Sequence, residues 1–230
     1  MQTQLPKMRL YSGSLSMFGA KVEIAAYEKE LDFELVMVPF NNQDGYHPKH
    51  PDVVRVNPKQ QVPILIDGDV EIFDSTQIFE YFEDLKPSPA LWPAERIART
   101  CARQLEHKSD EVYFPHIIRL MGLQDAPNDP VAIASRLGAA CFYREMEEIL
   151  SNGDFLARTY SYADIAFYMA QLFGARMGAE MTEETPKLLQ WRSRMSSRPA
   201  LRKVVGPMVD YLVSTGRNIP VFLNEFVQVK

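Results

Sequence analysis

Three short stretches hold residue types that could do chemistry. Tyr11, Ser12, Ser14 and Ser16 place four hydroxyls within six residues. They lie between Met8-Arg9-Leu10-Tyr11, which reads as a strand, and a run with Phe18, Val22, Ala25 and Ala26 at helical spacing. Asp74-Ser75 follows one apolar run and opens a helical face of Ile78, Tyr81, Phe82 and Leu85. A serine at a helix N-terminus offers a hydroxyl and free N–H groups to an anion, and an adjacent aspartate can bind an ammonium. Together they suit a zwitterion; either alone is also an ordinary N-cap. Val62-Pro63 stands at the mouth of Ile64-Leu65-Ile66. Proline lacks a backbone donor and is confined to strand ends or bulges, so this dipeptide reads as the opening of a strand and as a candidate cis bond. The residue before such a proline presents its N–H and C=O outward, where an extended ligand could pair with them.

The elements that must position these groups change period along the chain. The first strand and helix form a βα unit, and Phe33–Phe40 reads as a second strand. The Pro- and Gly-containing stretch Asn41–Pro58 reads as loop with at most a short helix. Ile64-Leu65-Ile66 and Val70-Glu71-Ile72-Phe73 flank Asp67-Gly68-Asp69, a hairpin signal, and the helix at Ser75 follows. The order is βαβ, crossover, ββα, over residues 1–85. Lys86–Pro93 carries three prolines and reads as a linker. From 94 to 230 the strand signals stop: Ala98, Cys101 and Leu105, then Ala134, Leu137 and Cys141, then Ile165, Met169 and Leu172 recur at helical spacing. A loop at Asp125–Pro130 separates two long helices, and a last helix starts near Ala200.

Composition narrows the function classes. The 230 residues are 46% hydrophobic with a net charge of -5, enough to bury a sizeable core. No basic cluster points to nucleic acid or an anionic membrane. No run approaches the roughly 18 apolar residues of a membrane span, and the start lacks a signal-peptide core, so a cytoplasmic protein is expected. Cys101 and Cys141 are expected as buried, reduced thiols. His47 and His50, near Asp44 and Asp52, lack a convincing ligand framework, and no metal is expected.

The βαβ-ββα order, the proline in "QVP", the acidic-Ser pair opening "DSTQIFEYFED", the Pro-rich linker and the helical remainder together resemble a glutathione transferase. "SYADIAFYMA" is similar to the element that starts the central helix of that family's second domain, with Ser161 and Asp164 as a capping-box variant. The resemblance covers nearly the whole chain. It implies a thioredoxin-like first domain, glutathione as co-substrate, and an all-helical second domain lining an electrophile pocket. It places Val62 on the cysteinyl backbone, Gln61 beside the same arm, and Asp74 and Ser75 on the γ-glutamyl end. The family usually has Glu where Asp74 stands. Lys21-Val22-Glu23-Ile24-Ala25 is similar to the "RVRIAL" helix of serine-type members, which puts Ser16 in register as the thiol-activating hydroxyl. Ser14 is the reserve, and Tyr11 is disfavoured because it reads as the end of its strand.

Such a serine need only donate its O–H to sulfur. A thiol of pKa about 8.5 becomes mostly thiolate at pH 7 after a fall of two units, roughly 2.7 kcal/mol. One charge-assisted hydrogen bond and a helix N-terminus are about that size. Tyr113, Phe114, His116 and Met121 are expected on the pocket wall or, for most of them, in the core. The resemblance also implies a two-fold homodimer. Ser16-Met17-Phe18 lacks the Ser-Ser-Cys run of zeta-type isomerases, whereas "AAYEKELDFE" and "DSTQIFEYFEDLKPSPALWP" look similar to bacterial β-etherases. A non-catalytic ligand-binding or protein-interaction module of the same fold stays open. A thiol-disulfide oxidoreductase needs a cysteine after the first strand, and positions 12 to 20 contain none.

Overall fold

The computed structural model describes residues 7–40, 45–47 and 49–227. Four strands, β1 (Arg9–Gly13), β2 (Glu34–Val38), β3 (Ile64–Asp67) and β4 (Val70–Phe73), form one sheet of order β2-β1-β3-β4. β1 runs parallel to β2 and antiparallel to β3, and β3 pairs antiparallel with β4. Three helices complete this thioredoxin-like unit: α1 (Met17–Glu28), the short α2 (Pro51–Val56) and α3 (Ser75–Leu85). Strand alternation sends Leu10 and Leu65 to one face, against Val22, Ala26, Ile78 and Phe82. Tyr11, Ile64 and Ile66 go to the other, against Val38 and Val53.

The remainder is helical: α4 (Arg96–Lys108), a π-helical turn at Ser109–Tyr113, α5 (Phe114–Met121), α6 (Pro130–Ile149), α7 (Tyr162–Arg176), α8 (Pro186–Ser196) and α9 (Pro199–Ser214). α7 is buried on every side from Tyr162 to Ala175, a stretch that is largely apolar apart from Asp164 and Gln171. Asp164 fixes its start. Asp164 Oδ2 accepts from the Ser161 N–H and Oγ–H at 3.0 Å each, while Oδ1 accepts from Leu156 N–H and Trp191 Nε1–H at 2.9 Å each. Burial still pushes this carboxyl up to about 6. None of the described helices is long and apolar enough to cross a membrane.

The two units meet along α1, which lies against α3 on one side and α7 and α9 on the other. Phe79 of α3 stacks on Tyr162 of α7 with ring centroids 3.7 Å apart. Lys21 of α1 is wholly buried and donates to Glu106 of α4 at 2.8 Å and to Asp110 of the π turn, while Thr76 Oγ1 donates to Glu106 at 2.6 Å. Burial alone would drive the ammonium towards neutrality, but the charges of Asp110 and Glu106 outweigh it and hold Lys21 above its usual range. Asp110 is raised to about 6 by burial, opposed by Lys21 and reinforced by Glu106 and Asp74.

Two expectations fail here. Cys101 and Cys141 are both exposed. The helical period is right and the phase is wrong. In α4 the inward stripe is Ala102, Leu105 and Glu106, because Glu106 turns inward to meet Lys21. In α6 it is Ala132, Ser135, Ala139, Phe142 and Met146, leaving Leu137 and Cys141 outside. Tyr11, expected to end its strand, lies in the middle of β1.

Two tests of stability follow from these buried carboxyls. Asp164→Asn replaces an acceptor oxygen by an NH₂ facing the other donors, and unfolding by denaturant should show a loss of about 2–4 kcal/mol; a loss under 0.5 kcal/mol would contradict the role given to this carboxyl. Glu23 of α1 is buried, and burial raises it from the usual range to about 7. The folded state therefore holds a proton that the unfolded state has released between about pH 4.5 and 7, so stability is lost as pH rises through that window. Glu23→Gln should gain about 2–3 kcal/mol at pH 8 and nothing below pH 4.5; a pH-independent difference would disprove the account.

Candidate functional site

The chain leaves β1 through a tight turn in which Ser16 N–H donates to Gly13 C=O at 2.9 Å. Ser16 then caps α1: its backbone is extended and its Oγ accepts the Gly19 N–H at 2.9 Å. Taking that bond on a lone pair leaves the hydroxyl proton available to a further acceptor. Tyr46 braces the turn, its OH accepting from Leu15 N–H at 3.2 Å and its ring lying over Gly13. A side chain at Gly13 would meet Tyr46 Cε1 at 2.4 Å, so only glycine permits this approach. Burial raises the Tyr46 phenol to about 12, so it is neutral.

Ser16 opens into a cavity of about 320 Å³. Gln60, Gln61 and Val62 line it from the segment before β3, Lys49 and His50 from the segment before α2, and Phe18, Phe114, Ile118, Met121 and Phe173 give it an apolar wall. The Val62-Pro63 bond is cis. The ladder begins at Ile64, opposite Tyr11 and Phe73, so Val62's peptide groups lie outside the register. Asn57 organises this segment: its Nδ2 donates to Gln61 C=O at 2.6 Å and its Oδ1 accepts from Lys59 N–H at 2.9 Å. His50 Nδ1 caps α2 by accepting from Asp52 N–H at 3.2 Å.

Asp74 and Ser75 stand at the start of α3, outside the residues that line this cavity. Asp74 is the N-cap, with Oδ1 accepting from the N–H groups of Thr76 at 3.0 Å and Gln77 at 3.3 Å. Its φ of 76° lies in the left-handed region, which a non-glycine residue occupies at a cost of order 1 kcal/mol or more. Ser75 is buried, and its C=O accepts from Tyr162 OH at 3.3 Å.

The structure thus brings Ser16, Gln61 and Val62 to one cavity and puts Asp74 and Ser75 at a neighbouring helix start. Ser14 lines a different cleft, with Glu23, Tyr27 and Lys203. Tyr11 OH is committed to Asp52 at 2.6 Å, and burial raises it to about 12. Of the four second-domain side chains, Phe114 and Met121 line the cavity; Tyr113 is wholly buried, bonded to Tyr143 OH at 2.5 Å, and His116 lies at a separate surface cleft. Tyr46, Lys49, His50, Asn57 and Phe173 carry no sequence motif; for Tyr46, Lys49 and His50 the aromatic and cationic residues of an otherwise turn-rich loop were the available signal, whereas Phe173 lies within α7. Among the described residues no group of three or more His, Cys, Asp or Glu could hold a metal ion; Asp44 lies outside the described residues.

Comparison with known proteins gives two family matches, the glutathione S-transferase N-terminal domain over residues 6–84 and the C-terminal domain over 112–199. A stringent starvation protein A homolog of Coxiella burnetii is 34% identical over 107 residues, 46% of this chain and 48% of that protein. Glutathione S-transferase 2 of Saccharomyces cerevisiae is 25% identical over 210 residues, 86% of this chain and 90% of its own. Among solved structures, a glutathione S-transferase from Rhodospirillum rubrum F11 superposes with a TM-score of 0.73 at 26% identity, covering 86% of this chain and 91% of the other. Matched in both of its halves and similar in architecture along most of its length, the chain belongs to the glutathione S-transferase family.

Proposed function

We propose that the chain is a glutathione transferase, which activates glutathione as a thiolate for attack on an electrophilic aromatic, halogenated or ether substrate. The observation that carries this reading is the meeting of a helix-capping hydroxyl, Ser16, with the free peptide of Val62 in a cavity that also has an apolar wall. Ser16 donates its proton to sulfur and the α1 N-terminus adds partial positive charge. Val62 pairs with the cysteinyl backbone, with Gln61 on the same arm. Asp74 and Ser75 take the γ-glutamyl ammonium and carboxylate, and Lys49 and His50 are placed to meet the carboxylate at the other end. The bound thiolate attacks the electrophile, a C–S bond forms, and the leaving group departs with its electron pair. No metal takes part in this scheme.

In this reading residues 1–85 bind glutathione, 86–93 are a linker, and 94–230 supply the electrophile wall. Two copies form a homodimer. A second reading, a non-catalytic module of the same fold, draws on the relative named as a stringent starvation protein A homolog. The thiol-facing hydroxyl and the peptide of Val62 favour the enzyme.

Calorimetric titration with glutathione, run beside conjugation of a generic aryl halide, separates these readings. Wild type should bind glutathione. Ser16→Ala should bind within a few-fold and lose about a hundredfold in turnover, the order expected for one lost hydrogen bond to a developing anion. Ser75→Ala should weaken binding about tenfold or more. Absence of glutathione binding by wild type would leave the module reading standing, and full turnover by Ser16→Ala would move thiol activation to another group.

A further inference from the structure

We propose that Glu23 is a positioning residue for Ser16: acting through Ser12, its proton sets how strongly the Ser16 hydroxyl is donated to a thiol in the cavity. For the thiol this rests on the transferase reading above. Glu23 belongs to α1 and lines a second, smaller cleft of about 140 Å³, which shares no residue with the cavity at Ser16. The turn that leaves β1 separates the two spaces. Gly13 and Ser14 line the one, Leu15 and Ser16 the other.

Ser12 of β1 connects the two sides. It is wholly buried, and its Oγ has no hydrogen-bond partner. A side chain at Gly19 would meet Ser12 Oγ at 2.2 Å and Ser16 Oγ at 3.0 Å, so the two hydroxyls flank one point on the first turn of α1. Burial raises the Glu23 carboxyl to about 7, and Ser12 is close enough to draw it part of the way back. A buried hydroxyl without a partner is costly. This one stands between an ionisable carboxyl and the hydroxyl that faces the cavity.

Among the described residues no cation balances Glu23 when it ionises. β2 turns Leu35 and Met37 to the cleft, and Lys203 of α9 rests 3.8 Å from the centroid of the Tyr27 ring without pairing with Glu23. Tyr27 of α1 and Tyr46 beside the turn are phenols raised by burial, and both feel the Glu23 charge. Protonated, Glu23 donates to Ser12 Oγ and leaves the Ser12 proton to turn towards Ser16 Oγ, whose second lone pair is open beside the Gly19 bond. A hydroxyl that accepts such a bond is itself a stronger donor. Ionised, Glu23 accepts the Ser12 O–H instead and puts a negative charge behind the turn, which opposes a thiolate in front of it. Both changes make a bound thiol less acidic when the Glu23 proton is lost.

The test follows the turn and the thiol separately in the full chain. Amide resonances of Leu15, Ser16 and Gly19 are recorded against pH without ligand in wild type, Glu23→Gln and Ser12→Ala, and the thiolate absorbance of bound glutathione is titrated in the same proteins. Wild-type amides should shift with a midpoint near the Glu23 value of about 7, and thiolate should appear over a wider pH range than one ionisation gives. Glu23→Gln should abolish the amide titration and lower the thiol midpoint by about 0.5 or more. Ser12→Ala should remove about half or more of the amide response while the Glu23 carboxyl still titrates. Amides that ignore pH in wild type, a response that persists in Glu23→Gln or is undiminished in Ser12→Ala, or a thiol midpoint unchanged in Glu23→Gln would overturn the assignment. Failure of wild type to bind glutathione would sink the transferase reading alone, because the amide titration decides the hold of Glu23 on Ser16 without a thiol.

Discussion

An ammonium taken wholly out of water must be paired, and Lys21 can be paired only if two parts of the chain that are far apart in sequence come together. Glu106 is 85 residues away and Asp110 is 89. Lys21 sits just over a turn beyond the start of α1, and Thr76, just inside α3, holds the same Glu106. One buried carboxylate therefore fixes both helix starts that carry the candidate ligand groups, Ser16 and Ser75, against the helical unit that supplies Phe114. Removing Lys21 would leave two carboxylates facing each other in the interior without a cation, a loss of about 3–5 kcal/mol. The geometry of the cavity is a consequence of that pairing as much as of apolar packing.

Around this junction the cavity divides its labour by element. In the proposed scheme helix starts and the peptide of Val62, just before β3, offer fixed donors and acceptors, which need no side-chain ordering when a ligand arrives. The apolar wall comes from α1, α5 and α7, and its side chains pack edge to face, as Phe18 and Phe114 do at 5.4 Å. In that scheme polar recognition rests on backbone placed by the sheet and by helix starts, and shape recognition on side chains placed by the helices. The first constrains what is shared between ligands, and the second is free to vary.

Much of this could be read from the residues. Tight turns and the switch between periods of two and 3.6 marked β1, β3, β4, α1 and α3, and the capping pattern at Ser161 and Asp164 marked α7. Ser16 was reached through the likeness of Lys21-Val22-Glu23-Ile24-Ala25 to a helix of the family, and it caps α1. Helix phase was not reachable for α4 and α6: a buried Glu106 and a buried Ser135 turn the inward stripe away from Cys101 and Cys141, and nothing near those residues announces a partner on another element. Lys21 stood only as the first residue of a helix motif for the same reason: its partners lie on other elements. Tyr46, Asn57 and His50 act through contacts inside an irregular segment, where no period exists to be read.

The contact between Tyr46 and the Gly13–Ser16 turn has a mechanical side. The phenol holds Leu15 N–H, and its ring rests where glycine leaves room. The segment that carries Lys49 and His50 therefore cannot swing outward without releasing the peptide next to Ser16. Loop order and the aim of the Ser16 hydroxyl behave as one degree of freedom: the segment that would greet an arriving ligand also sights the group that would activate it.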